Sequence, residues 1–591
     1  MSKIKIKFEP DDESTFFKAA NSSELVILLH ATAGDSTSLR DIKNRLIKDK
    51  PHSDIWFPNV PTSWVSFANP IHLVKALVEQ IDAIWEYHAE DNNHEHYKRI
   101  ILIGHSIGAL FARKIYVYSC GENSNAPFER KIEIKQSREW AIKIERIILL
   151  AAMNRGWSAR DLSILDSLYI RAGVILGKLV MFFFRTRLLL FQVKKGASFI
   201  IQLRIQWLAM VRAFNEGRKR EGGALVIQLL GTVDDIVSPE DNVDLVTGGD
   251  FVYLEVPKSS HSNVVKMGND TEGEARYKVL RSALLDTKEE LLKRTVVPLD
   301  AVNFPVNTSV TDVIFVIHGI RDRGFWTQKI ANRIKLLGDS PKRKYAIETS
   351  SYGYFPMLSF LLPSTRRAKV EWLMDQYTED LALYPNADFS YVGHSNGTYL
   401  LAQALEDYPA CHFKNVLFAG SVVPTTYKWN SLIQDGRVKS ILNYVASADW
   451  VVAIFPNFFQ KVPFLGVKDI GGAGHEGFTG LKQFQIQFVS GSHGAAINED
   501  MWGDIADFAV NGKISTPTNS LLIVPKRSRT VAVLGYLSPL VWLLLLLLFG
   551  GVGFLIWSCI WSPCYYQYAY VYRTIALILY CRFLWFVLTK V

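Results

Sequence analysis

Cysteine is scarce in this 591-residue chain: Cys120, Cys411, Cys559, Cys564 and Cys581, with no C-x-x-C pair and the last three in or beside one apolar stretch. That pattern excludes a disulfide scaffold and a zinc ribbon. The N-terminus, MSKIKIKFEPDDESTFF, lacks an apolar run with a small-residue cleavage site, so no secretory signal peptide is expected. A reducing, cytosolic setting is expected for the folded parts. His94 and His96 in DNNHEHYK have no cysteine or carboxylate cluster beside them to complete a metal site. They are expected in a polar surface loop, with neither a metal nor an organic cofactor required. With 49% hydrophobic and 21% charged residues and a net charge of +9, the chain is not of disordered or collagen-like type. Its length calls for two to four domains.

What is present is a repeated alternation of short apolar runs and helix-compatible stretches. LVILL (25–29) breaks into HATAG, and IILI (100–103) breaks into GHSIG before ALFARKIYVY. RIILL (146–150) and ALVIQLL (224–230) are further buried-strand expectations. Such alternation reads as α/β with a mostly parallel sheet. The pattern then restarts, with DVIFVI (312–317) before HGIRDRG and FSYV (389–392) before GHSNG. His30 and His318 are 288 residues apart, and Ser106 and Ser395 are 289 apart. A shared offset reads as an internal duplication.

G-x-S-x-G between an apolar strand and a helix is the form of a nucleophile elbow, with glycines where a sharp turn leaves no room for Cβ atoms. It marks Ser106 and Ser395 as nucleophiles. The N–H groups of Ile107 and Asn396 are then donors to an oxyanion. Second donors are expected from the loops after the early strands: Ala31 and Thr32 in HATAG, Gly319 or Ile320 in HGIRD. His30 is expected to orient its loop rather than to catalyse. A serine needs a general base, itself oriented by a carboxylate, in the chain order Ser, acid, His. After ALVIQLL comes GTVDDIV, giving Asp234, with Asp235 as competitor; after FVYLEV comes His261. In the second copy Asp449 follows ILNYVASA and His493 follows FQIQFVSGS. His475, 26 residues after Asp449 against 27 between the first copy's pair, is the rival to His493.

HATAG, GHSIG, GTVDDIV and SSH in one copy, and HGIRD, GHSNG, SADWVV and GSH in the other, resemble the α/β-hydrolase superfamily, in particular its lipase and esterase-like members. The resemblance covers roughly residues 24–285 and 310–512. It implies two tandem α/β-hydrolase domains, each an eight-stranded, mostly parallel sheet flanked by helices, and hydrolysis through an acyl-enzyme. The first copy departs from the usual His-Gly pair at HATAG, which puts its oxyanion loop in doubt. The motifs do not select a substrate.

The expected organisation is a first hydrolase domain over 1–295 with an insertion at about 158–222, a second over 296–520, and a membrane anchor over 531–591. Residues 167–213 hold eight Arg or Lys and no Asp or Glu within bulky apolar sequence. That suits an interfacial helix on an anionic membrane, or a lid packed over its own site or onto the second module. The interleaved residues are aliphatic rather than stacking platforms, so nucleic acid is not expected as a partner. Val531–Trp561 carries no charge and exceeds the ~20 residues a bilayer requires. Residues 574–589 make either a returning span or none. Lys526, Arg527 and Arg529 just before the span place the domains on the cytosolic side. The expected function is a membrane-anchored serine hydrolase cleaving acyl esters of lipids. The alternatives are an acyltransferase or protein deacylase of the same mechanism, and a non-catalytic membrane receptor or scaffold on the same fold.

Overall fold

A computed structural model describes residues 6–32, 34–63, 66–91, 94–123, 126–128, 136–157, 188–232, 251–295, 306–322, 324–462, 467, 469–482, 485–513, 521–559 and 568–590. The chain divides into two compact units. One is Met1–Val306 with Tyr377–Leu383 and Tyr408–Ala410; the other is Asn307–Gln376, Tyr384–Asp407 and Cys411–Val591.

The first unit is built on strands β1 (Phe16–Phe17), β2 (Glu24–Leu29), β3 (Ser53–Trp56), β4 (Arg99–His105), β5 (Ile144–Leu150), β6 (Leu225–Gly231) and β7 (Phe251–Val256), ordered β1-β3-β2-β4-β5-β6-β7. All neighbours are parallel except β1 with β3. Strands covered on both faces need apolar residues at every position, which is why β2, β4 and β5 read as continuous aliphatic runs. Val26, Leu28, Ile101, Ile103, Ile148 and Leu150 pack on one face with the helices Arg40–Asp49 and Thr271–Leu285. The alternate residues Leu25, Ile27, Leu29, Ile100 and Leu102 pack on the other, with Pro70–Asp91 and Ile107–Ser119.

The second unit carries β8 (Asp312–Ile317), β9 (Tyr345–Glu348), β10 (Asp388–His394), β11 (Phe413–Ala419), β12 (Val438–Ala446), β13 (Ile486–Val489) and β14 (Ile523–Val524), ordered β14-β13-β12-β11-β10-β8-β9. Only β13 with β14 is antiparallel. The six parallel strands have the same order as those of the first unit. Both are mixed sheets flanked by helices and fit an α/β-hydrolase fold, with seven described strands each where eight were expected.

Two expectations change. The basic insertion is described only over 188–222, since 158–187 lies outside the described residues. Its helix Ser198–Asn215 is not a surface helix, because Phe199, Ile200, Leu203, Trp207 and Met210 belong to the first unit's core. Trp207 packs 6.0 Å from Tyr116 and 6.1 Å from Phe251. The positive charges beneath it are buried: Lys114 Nζ donates to Gln206 Oε1 at 2.6 Å, and Arg113, whose guanidinium lies 4.8 Å from the Trp207 ring, donates to Asn154 Oδ1 at 3.0 Å. The apolar residues of this helix serve the core of the unit.

The expected span at 531–561 is also divided. Arg529–Tyr536 is a separate helix with Val531 and Gly535 buried in the second unit, where Gly535 O accepts from Asn457 Nδ2 (3.2 Å) and Lys461 Nζ (2.8 Å). Ser538–Cys559 follows, and Ser538–Ser558 is the one helix among the described residues long and apolar enough to cross a membrane, with mean hydropathy 2.5. Ala569–Lys590 is helical and returns beside it, Tyr580 OH donating to Phe549 O at 3.0 Å, but it contains Arg573, Arg582 and Lys590.

A buried Trp207 (2% exposed) predicts that Trp207→Ala destabilises the chain by about 3–5 kcal/mol, seen as a lower denaturant midpoint in detergent. An unchanged midpoint would return this helix to the surface.

Candidate active sites

Parallel strands end together, so the loops that follow them gather at one edge of each sheet. In the first unit β4 ends at His105, and Ser106 then takes φ 55° and ψ −116° before the helix Ile107–Ser119. This left-handed backbone costs a non-glycine residue of order 1–3 kcal/mol and holds the hydroxyl clear of the sheet. It requires close packing behind the turn: a Cβ on Gly108 would lie 2.3 Å from Leu29 O. Ser395 repeats the arrangement with φ 53°, and a Cβ on Gly397 would lie 2.5 Å from Ile317 O. Ile107 and Asn396 open their helices, so their N–H groups have no intrahelical acceptor.

The loop after β7 brings His261 to the first serine, with Nε2 2.9 Å from Ser106 Oγ. Nδ1 is thereby left for an acid. Asp234 and its competitor Asp235 lie outside the described residues. In the second unit the complementary half of the relay is described: His493 Nδ1 is 2.7 Å from Asp449 Oδ2. The other oxygen of Asp449 accepts from Val452 N at 2.9 Å and so caps the helix Trp450–Ile454. Bonding at Nδ1 leaves His493 Nε2 for Ser395, with no hydrogen bond yet formed between the two among the described residues. Contacts of this kind commonly close only when a substrate is bound. The rival His475 is elsewhere, buried against Gly535.

Each early-strand histidine is a loop brace. His30 Nε2 accepts from Val60 N at 2.9 Å, which fixes the proton on Nδ1 for donation to Ala31 O at 2.9 Å. His318 makes the matching bonds, Nδ1 to Gly319 O and Nε2 to Ser351 Oγ, both 2.8 Å. Burial lowers the pKa of both rings, in keeping with this neutral form. The loops beside the serines differ. In the second unit a Cβ on Gly319 would lie 2.7 Å from Ser395 Cβ, so only glycine allows this backbone its approach. The first unit has Ala31 at the matching place, with Thr32 next and Thr62 Oγ1 donating to Ala31 O at 3.1 Å. In the second, Tyr352 OH lies 2.8 Å from both His318 O and Gly319 O and accepts from Asn396 Nδ2 at 3.1 Å. Asn396 therefore braces, through Tyr352, the loop that begins at His318–Gly319.

Sequence reasoning missed Ser351 and Tyr352, as it missed Val60 and Thr62, because these follow β9 and β3, short strands without an aliphatic run. It also missed the histidine preceding each serine. His105 Nε2 lies 2.8 Å from His261 O, and His394 Nε2 lies 3.3 Å from His493 O. The repeated G-H-S triplet was the available signal. His94 and His96 lie between the helix Pro70–Asp91 and β4, His96 stacking on Trp85 at 4.3 Å.

No family model and no curated protein matches this chain. Among solved structures it is similar to a carboxylesterase of the thaumarchaeon Nitrososphaera gargenis (14% identity, 46% of this chain and 93% of that one, TM-score 0.27). It is also similar to the monoacylglycerol lipase of Paleococcus ferrophilus (14%, 47% and 98%, TM-score 0.27). A third is a soluble variant of the Saccharomyces cerevisiae monoglyceride lipase (13%, 48% and 91%, TM-score 0.29). With TM-scores this low, the fold is read from the chain's own strand order and elbows.

Burial lowers the pKa of His394 to about 3, helped by the neighbouring His493, and that of His475 to about 4, helped by Arg527. An unfolded histidine takes up its proton near pH 6.5, so across this window the unfolded chain binds more protons and stability falls as pH drops. Each ring contributes a slope of up to about 1.4 kcal/mol per pH unit. Denaturant midpoints between pH 6.5 and 5 should show it, and His475→Gln should remove one such share.

Proposed function

We propose that the chain is a membrane-anchored serine hydrolase that cleaves acyl esters, those of lipids foremost, with Ser106, Asp234 and His261 acting in a module over 1–295 and Ser395, Asp449 and His493 in one over 296–520. The observation that carries the reading is the 2.9 Å bond from His261 Nε2 to Ser106 Oγ on a strained elbow. Its counterpart is the bond between His493 and Asp449 beneath the same elbow at Ser395.

Histidine Nε2 takes the serine proton as Oγ attacks the acyl carbonyl. The negative oxygen is met by the N–H of Ile107 with Ala31 or Thr32 in one site, and of Asn396 with Gly319 or Ile320 in the other. The imidazolium returns its proton to the departing alcohol, leaving an acyl-serine. Water, deprotonated by the same histidine, then releases the acid. Asp449 holds His493 in the tautomer this sequence needs. The anchor is Ser538–Ser558, with Lys526, Arg527 and Arg529 on its cytosolic side. No part of the mechanism requires a metal or an organic cofactor.

A fluorophosphonate probe should label the full-length chain, less in Ser106→Ala and in Ser395→Ala, and not at all in the double variant. A wild type that stays unlabelled is a binding or scaffold protein, and labelling lost with one substitution alone leaves one working site. In the Ser106→Ala background, Tyr352→Phe should slow labelling of Ser395 about tenfold, the worth of one loop-bracing hydrogen bond.

A further inference from the structure

The segment Leu521–Trp542 has no part in the chemistry above, yet it is bonded into both loops that deliver the second site's histidine and acid. β14 pairs with β13, the strand that leads to His493, through Phe488↔Val524 and Val489↔Ile523. Ser490 N donates to Leu522 O at 2.8 Å, and Ser528 N to Ser447 O at 2.8 Å, two residues before Asp449. The apolar helix is itself attached there. Trp542 Nε1 donates to Ile454 O at 3.0 Å, and its ring stacks on Phe458 at 5.3 Å and sits 5.2 Å from Phe455.

Ile454 ends the five-residue helix that Asp449 caps. At 1.5 Å per residue, that helix sets only about 7.5 Å along its axis between the acid and Ile454, which Trp542 bonds from the second turn of the apolar helix. The headgroup layer on each side of a bilayer is about 5–8 Å thick. A bilayer holding Ser538–Ser558 therefore brings its headgroups to the mouth of this site.

The same sheet edge offers the side chains such a layer takes up. Trp450, next to Asp449, is 56% exposed, and Phe325, in the loop after β8, is 78% exposed. β8 and β12 belong to one set of parallel strands, so both aromatics stand at the edge from which the apolar helix leaves. The amphipathic Trp ring favours the headgroup zone and the wholly apolar Phe ring gains by leaving water there, and the exposed Lys526 and Arg529, which flank the Ser528 bonded to Ser447, suit anionic lipid.

We infer that the second site opens onto the lipid surface, with Phe325 and Trp450 seated among the headgroups, so that Ser395 receives an acyl ester from the bilayer and not from water. This rests on the reading of Ser538–Ser558 as a span and of Ser395 as a nucleophile.

The test uses the full chain in phosphatidylcholine–phosphatidylserine vesicles, with Cys559→Ser, Cys564→Ser and Cys581→Ser. Cys120 and Cys411 are buried and would escape labelling. An environment-sensitive fluorophore is attached through Phe325→Cys, Trp450→Cys, Leu544→Cys or Lys342→Cys, the last lying just before β9 at the opposite sheet edge. Quenching by a nitroxide placed near the lipid headgroup should reach about twofold or more at 325, 450 and 544 and be absent at 342. Quenching at 544 without quenching at 325 and 450 overturns the inference alone. No quenching at 544 overturns the span, and the inference with it. Fluorophosphonate labelling of Ser395 in Ser106→Ala, measured on the same vesicles, separates failure of docking from failure of catalysis.

Discussion

The constraint on which both sites depend is the turn that holds a serine at φ 55° or 53° between a strand and a helix. A side chain in that conformation is strained, and it persists because the surrounding packing leaves it no other. Gly108 and Gly397 let each helix press against the last carbonyl of a neighbouring strand. Ser106 N and Ser395 N are tied to Leu150 O and Ala419 O, both at 3.0 Å. The hydroxyl is thus positioned by the rigid centre of the sheet, and His261, His493 and Asp449 come from loops at its end. The histidine beside each serine closes the arrangement, because its ring reaches the backbone of the loop bearing the base.

Around that shared turn the two sites differ in how firmly the rest is held. Gly319 comes against Ser395, and Tyr352 and Asn396 lock the loop that follows β8. In the first unit Ala31 stands where the second has that glycine, and Ile107, where the second has Asn396, has no polar side chain to offer. Donors fixed before the reaction cost nothing to organise during it. The first serine, by contrast, has the histidine already in hydrogen-bond contact. Each unit thus holds firm a different one of these contacts.

The strands that carry the chemistry were legible because burial on both faces writes them as aliphatic runs. β2, β4, β5, β6, β8, β10 and β12 lie where LVILL, IILI, RIILL, ALVIQLL, DVIFVI, FSYV and ILNYVA stand. The edge strands β1, β9 and β14 are short and only partly buried, so their sequence carries no such run. Ser351 and Tyr352, placed by β9, were lost with it. Composition misled in two places for one reason: an apolar helix seeking protein looks like one seeking lipid. Phe199, Ile200, Leu203, Trp207 and Met210 found a protein core in spite of Arg204 among them, and Val531 and Gly535 are buried in the second unit although they are continuous in sequence with an apolar helix.

The weaving of Leu521–Trp542 into the second site also orders events during synthesis. The six parallel strands of that unit are complete once Val489 has been made, with Asp449 already in place and His493 only four residues behind. Their loops nevertheless lack β14, the bond from Ser528 and the helix Arg529–Tyr536 until this stretch follows. A chain growing from its N-terminus therefore holds a second sheet whose Asp449 and His493 loops remain unbraced until the residues leading into the apolar helix arrive. Completion of these loops is thus tied to the arrival of the stretch that runs into the long apolar helix Ser538–Ser558.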